Sequence, residues 1–141
     1  MIHISPCGWY CFTCNNNGWI LKETQDKTTI RSNDKTSVIE LLGARKSTAP
    51  VNDEVQEFQE DFLKQERILP FKTIVSENTF RVKYYVTKGT DMDKRSWIIS
   101  HAFWDNYCVL ITFHGLQTKH SNPRMQLFYD ILSSLQPLVN C

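Results

Sequence analysis

Cys7, Cys11 and Cys14 are the residues whose type and spacing first invite chemistry, in the run Cys7-Gly8-Trp9-Tyr10-Cys11-Phe12-Thr13-Cys14. C-x3-C-x2-C is the spacing with which radical S-adenosylmethionine enzymes hold a [4Fe–4S] cluster through three thiolates. Those enzymes carry the motif in a loop of a partial barrel that is typically larger than this chain of 141 residues. Here the local pattern predicts an extended segment. At roughly 3.3 Å per residue, Cys7 and Cys11 would stand about 13 Å apart, with Cys14 on the opposite face, so the thiolates do not converge. Zinc would need Cys7, Cys11, Cys14 and His3 to coil around it, and no second Cys/His pair follows at finger spacing. Cys11-x-x-Cys14 lacks the helix N-terminus that lowers the pKa of a redox thiol. The residues therefore read as free thiols or as small buried hydrophobes, with no cofactor and no metal.

The other candidates are dispersed. His101 and His114 share one face of a hairpin but lie four residue steps apart, again about 13 Å and too far for common metal ligation. His114 and His120 flank the loop Gly115-Leu116-Gln117-Thr118-Lys119 and could approach each other. Cys108 beside His101 is a conceivable Cys/His pair, although a thiol facing a covered sheet is normally inert. No G-x-S-x-G elbow marks a nucleophile. The five glycines are too scattered for a phosphate loop. Glu54, Glu57, Glu60 and Asp61 read as a solvated helix face countered by Lys64 and Arg67.

The elements that must position these groups centre on Arg95 to Leu116, RSWIISHAFWDNYCVLITFHGL. Asp105-Asn106 tolerates the positive φ of a two-residue turn between two β-rich runs. That turn sets Trp104 opposite Tyr107, Ala102 opposite Val109, Ser100 opposite Ile111 and Ile98 opposite Phe113. The other face pairs Phe103 with Cys108, His101 with Leu110, Ile99 with Thr112 and Trp97 with His114. Both faces are largely apolar, which predicts a central hairpin covered on both sides. Upstream, strands are expected at 2–5, 9–14, 19–23, 28–32 and 37–44. Asn15-Asn16-Asn17-Gly18 and Asn33-Asp34-Lys35-Thr36 serve as turns. A helix near 52–68 starts at Asn52 as N-cap and exits at Pro70. A strand at 79–88 carries Phe80, Val82, Tyr84 and Val86 on one face, with a turn at Gly89-Thr90-Asp91. A second helix over about 123–135 has Asn122 as N-cap, Pro123 at its first position and Phe128, Ile131, Leu132 and Leu135 inside. The order predicts an α+β domain spanning residues 1–141 with a mainly antiparallel sheet.

Composition narrows the function classes. The charged fraction is 22% and the net charge +1, with no basic stripe of the kind a nucleic-acid binder shows. No apolar run approaches the roughly 20 residues of a membrane helix, and the N-terminus lacks a signal-peptide pattern. Five cysteines without that signal read as reduced thiols in the cytoplasm.

Ile4-Ser5-Pro6-Cys7-Gly8-Trp9 resembles the opening I-S-x-P-x-G-W pattern of the PsbP-like superfamily, which includes Mog-type Ran-binding proteins and DcrB-like bacterial families. Phe128-Tyr129-Asp130-Ile131-Leu132-Ser133-Ser134-Leu135 resembles its C-terminal helix. The resemblance implies an α/β/α sandwich around a central antiparallel sheet. It also implies a binding protein, assembly factor or adaptor rather than an enzyme; among cytoplasmic bacterial relatives, secretion-effector adaptors and immunity proteins are the nearest analogies. Many bacterial members are exported or lumenal, and this chain departs from them in having no export signal.

The expected function is thus non-catalytic binding of a protein partner, with no nucleic acid and no membrane insertion. Its candidate surface is Trp9, Tyr10, Trp19, Trp104 and Tyr107, since Trp and Tyr are enriched at interface hot spots. For any single one of these aromatics, the core is the commoner destination. A module for a small apolar ligand is the alternative, followed by a metal- or thiol-dependent enzyme using the Cys7/Cys11/Cys14 segment.

Overall fold

The computed structural model describes residues 2–15, 17–117 and 121–140. β8 (Ser96–Trp104) and β9 (Tyr107–Gly115) form the central hairpin, and Asp105 takes the positive φ of 47° that the tight turn needs. All eight expected cross-strand pairs, from Trp104 with Tyr107 to Trp97 with His114, are present. On one side β9 pairs with β5 (Ser37–Arg45), then β4 (Lys27–Ser32), then β3 (Trp19–Glu23). On the other side β8 pairs with β7 (Lys83–Thr90), then β6 (Leu69–Glu77). The result is one seven-stranded sheet in the order β3-β4-β5-β9-β8-β7-β6, with every pairing antiparallel.

Alternation along each strand gives the sheet two faces. One buries Ile30, Ile39, Leu41, Ile98, Ala102, Ile111 and Phe113. Helix α2 (Ser121–Ser134) packs on it through Leu127, Phe128, Ile131 and Leu132. A small sheet joins this layer: β1 (Ile2–Ile4) and β10 (Gln136–Pro137) flank β2 (Tyr10–Thr13), whose Tyr10 and Phe12 are fully buried. The opposite face carries α1 (Asn52–Gln65), seated on β8 and β7 through Val55, Gln59 and Leu63. The architecture is the α+β sandwich expected, with two main helices.

Several local expectations are corrected. Val51, not Asn52, is the N-cap of α1; its N–H donates to Glu54 Oε1 at 3.3 Å. The helix stops at Gln65, and Arg67 follows with φ 54°. Pro70 lies inside β6, a strand the sequence reading missed. β6 is an edge strand, the position within a sheet where proline is tolerated. The strand expected at 79–88 runs from Lys83 to Thr90, so Phe80 lies in the preceding turn. Gly89 is a strand residue rather than a turn residue: a Cβ there would lie 2.6 Å from the Leu69 carbonyl oxygen and against Ile68. β6 bulges between Pro70 and Lys72 at that close approach. α2 begins at Ser121, so Asn122 falls inside its first turn. Asn16 and His120, parts of an expected turn and an expected histidine pair, lie outside the described residues.

Candidate functional site

The five aromatics proposed as a surface do not all reach one. Tyr10 and Trp104 are core residues, at 0% and 8% exposure. Trp104 stacks on Tyr107 with ring centroids 5.8 Å apart, Trp9 meets Tyr107 at 5.4 Å, and Tyr10 meets the edge of Trp104 at 6.4 Å. Four of the five therefore converge, but as packing at one end of the sheet, with only Trp9 and Tyr107 half-buried at the rim. Trp19 stands apart on β3 and packs on the same core. All five pack in or against the main core.

The cysteines are also dispersed in role. Cys11 is fully buried in β2 and disulfide-bonded, so it is neither a free thiol nor an available metal ligand. This overturns the reduced-thiol reading at Cys11 and removes one premise of a cytoplasmic location. Cys7, Cys14 and Cys108 are free, and no set of three metal-ligating side chains converges among the described residues. His3 instead pairs with Glu23 at 2.7 Å.

A concave site forms on the α1 face, for a simple geometric reason. Seven strands about 4.8 Å apart span nearly 30 Å, whereas a helix with its side chains is only about 10–12 Å across. One helix on β8 and β7 leaves the β4–β5–β9 side open. Two depressions lie there, of about 260 and 490 Å³, sharing Leu42, Phe62 and Leu110 as a common apolar lining. Leu42, on the floor shared by the two depressions, is 40% exposed.

His101 lines one end. Gln59, from the buried side of α1, donates through Nε2 to the Ile99 carbonyl at 2.7 Å and to Thr87 Oγ1 at 3.0 Å. Its Oε1 must therefore accept from His101 Nδ1–H, at 2.6 Å. That fixes the tautomer and leaves Nε2 as a bare acceptor. Burial first, then the nearby Lys46 charge, lowers the His101 pKa to about 4, so the ring is neutral at pH 7. Cys108 shares this end, and burial raises its thiol to about 11. At neutral pH this end of the groove therefore presents a neutral imidazole and a protonated thiol.

His114 lines the other end. Arg95 Nη2 lies 3.0 Å from its Nδ1. A guanidinium only donates, so Nδ1 accepts and Nε2 carries the proton. Burial and Arg95 lower its pKa. The ring stacks on Trp97 at 4.6 Å, and Trp97 Nε1 donates to Asp91 Oδ2 at 2.8 Å. Four strand steps separate the two imidazoles, about 13 Å. Between them lies the apolar floor, with Lys27 and Glu40 paired with each other at 2.8 Å on the rim. The sequence reading considered both histidines but missed Gln59, Leu42, Phe62 and Leu110, which carry no chemical motif.

Compared as sequence, the chain matches no protein-family model and no curated protein. Compared as structure, it is similar to cyanobacterial PsbP (CyanoP) from Synechocystis sp. PCC 6803, with a TM-score of 0.74 and 11% identity over 97% of this chain and 91% of that one. A protein from Bacteroides thetaiotaomicron VPI-5482 aligns with a TM-score of 0.63 and 10% identity, over 96% of this chain and 47% of that one. No helix among the described residues is long and apolar enough to cross a membrane. The chain has a PsbP-like fold.

Proposed function

We propose that this is a non-catalytic binding protein that holds an extended, mainly apolar and uncharged segment of a protein partner in the groove beside α1. The observation that carries this reading is the open sheet face itself: Leu42, Phe62 and Leu110 form an apolar floor between two neutral imidazoles of fixed, opposite hydrogen-bonding character. His101 Nε2 accepts and His114 Nε2–H donates. A polypeptide carries both complementary groups on its backbone, and the ~13 Å between them matches about four extended residues. The groove is open along its length, which suits a chain entering and leaving better than a small ligand sealed in a cavity.

The test is affinity capture of partners from the native host with the full chain, followed by dissociation constants for Leu42→Asp and Tyr107→Ala. Leu42→Asp should weaken binding at least about tenfold, because it sets a charge on the apolar floor, while Tyr107→Ala should leave it within about twofold. The reverse pattern would move the site to the aromatic corner. Native mass spectrometry showing a co-purified small molecule, lost in Leu42→Asp, would replace the protein partner with an apolar ligand.

A further inference from the structure

We infer that the free edge of β6 is a homodimer interface, in which the β6 strands of two copies pair antiparallel about a two-fold axis through Ile74. β6 is an edge strand of nine residues, and every one of them is exposed. Leu69, Phe71, Ile74 and Val75 are 67%, 75%, 51% and 58% exposed, an apolar concentration that a monomer's edge normally avoids. The opposite edge is less apolar: Ile20, at 44%, is the one strongly exposed large hydrophobic residue of β3, and the strand ends on Lys22 and Glu23, the latter held by His3. Pro70 and the bulge before Lys72 protect only the start of β6, leaving Lys72 to Glu77 regular and unpaired on its outer side. Helix α1 sits on β8 and β7 and α2 on β9 and β2, so both are centred away from this edge.

Backbone geometry restricts how two copies can pair. Along a strand, the N–H and C=O of one residue point to one side and those of the next to the other. A strand pairing with its own copy must oppose residues of the same parity, so the axis passes through a residue and never between two. An axis at Thr73 would set the Lys72 ammonium against Ile74. An axis at Val75 would set Ile74 against Ser76 and Glu77 against Thr73. The axis at Ile74 opposes Ile74 with itself, Thr73 with Val75 twice, and Lys72 with Ser76 twice. That register puts β-branched side chains together at the centre, which suits a pleated surface, and sets a hydroxyl opposite each ammonium with no like charges facing. Five paired positions make a small interface, so the dimer should be reversible and concentration-dependent rather than obligate.

Sedimentation velocity on the full chain, over about 1–200 µM, should show the mass rising from the 16.5 kDa monomer toward twice that value. Ile74→Lys places like charges directly opposite and should raise the midpoint concentration at least about tenfold, with circular dichroism confirming that the variant stays folded. Ile74→Cys should cross-link into a covalent dimer under mild oxidation, because cross-strand Cβ atoms at the axis approach to about 4.5–5.5 Å, beyond any cross-linking of the parent chain. A monomer at every concentration, or a dimer indifferent to Ile74→Lys, would overturn the interface. Cross-linking stronger through Ser76→Cys than through Ile74→Cys would overturn the axis.

Discussion

Replacing Gln59 with leucine isolates the polar linkage between α1 and the sheet. Gln59 is 1% exposed and spends three hydrogen bonds inward, on His101, Thr87 and the Ile99 carbonyl. Thr87 keeps Thr73 as a partner at 2.7 Å, so its hydroxyl survives the change. The Ile99 carbonyl loses a side-chain bond, and the His101 Nδ1–H is left with no acceptor. Each buried group left short costs about 1–3 kcal/mol, so Gln59→Leu should lose about 3 kcal/mol, part of it offset by leucine's own burial. Urea denaturation monitored by tryptophan fluorescence reads this as a lower midpoint at unchanged slope. The double variant Gln59→Leu/His101→Leu removes the orphaned N–H together with its former acceptor, and should be more stable than the sum of the single losses by about 1–2 kcal/mol. A Gln59→Leu loss below about 0.5 kcal/mol, which is the scale of an ordinary surface substitution, would refute the linkage, as would strict additivity in the double variant.

The same histidine sets a pH response. His101 titrates near 4 in the folded chain against an ordinary 6.5, so between these values the unfolded state binds more protons. Stability should be fully present above pH 6.5 and fall as pH drops toward 4, by about 3 kcal/mol at most, with NMR showing the His101 ring neutral at pH 6. Gly89→Ala should destabilise by about 1–3 kcal/mol through overpacking, since its Cβ would meet the Leu69 carbonyl and Ile68. A thermal melt unchanged from the parent would show that β6 moves aside freely.

The central hairpin was legible because two constraints agreed there: Asp105-Asn106 suited a tight turn, and both flanking runs were rich in β-branched and aromatic residues. β6 was illegible because its signals conflicted. Thr73, Ile74 and Val75 favour a strand, but Pro70 reads as a breaker, and only a strand at the sheet's edge tolerates it. Gly89 misled in the same manner. Its lack of a side chain serves a close approach between strands rather than a turn, and sequence alone does not distinguish the two uses. Both errors concern which strands neighbour which, a property of the assembled sheet that local propensity does not encode.

The site was hidden for a related reason. Interface statistics favour Trp and Tyr, yet large aromatics also fill cores, and Tyr10 and Trp104 went inside with their neighbours. The groove instead depends on a mismatch of widths. Alternation marks Glu40, Leu42 and Ala44 as one face of β5 and Cys108, Leu110 and Thr112 as the adjoining face of β9. Neither pattern says whether a helix lies above. That follows from counting: between β5 and α2 the chain supplies one helix of fourteen residues for a whole sheet face. Once seven strands are known, one helix cannot cover them, and a half-exposed leucine beside two neutral histidines becomes the feature to explain. The proposed recognition of an apolar segment rests on that exposure, whereas nucleophilic chemistry at this end of the groove would require Cys108 and His101 to be ionisable near neutrality. Their burial works against that, raising one pKa and lowering the other.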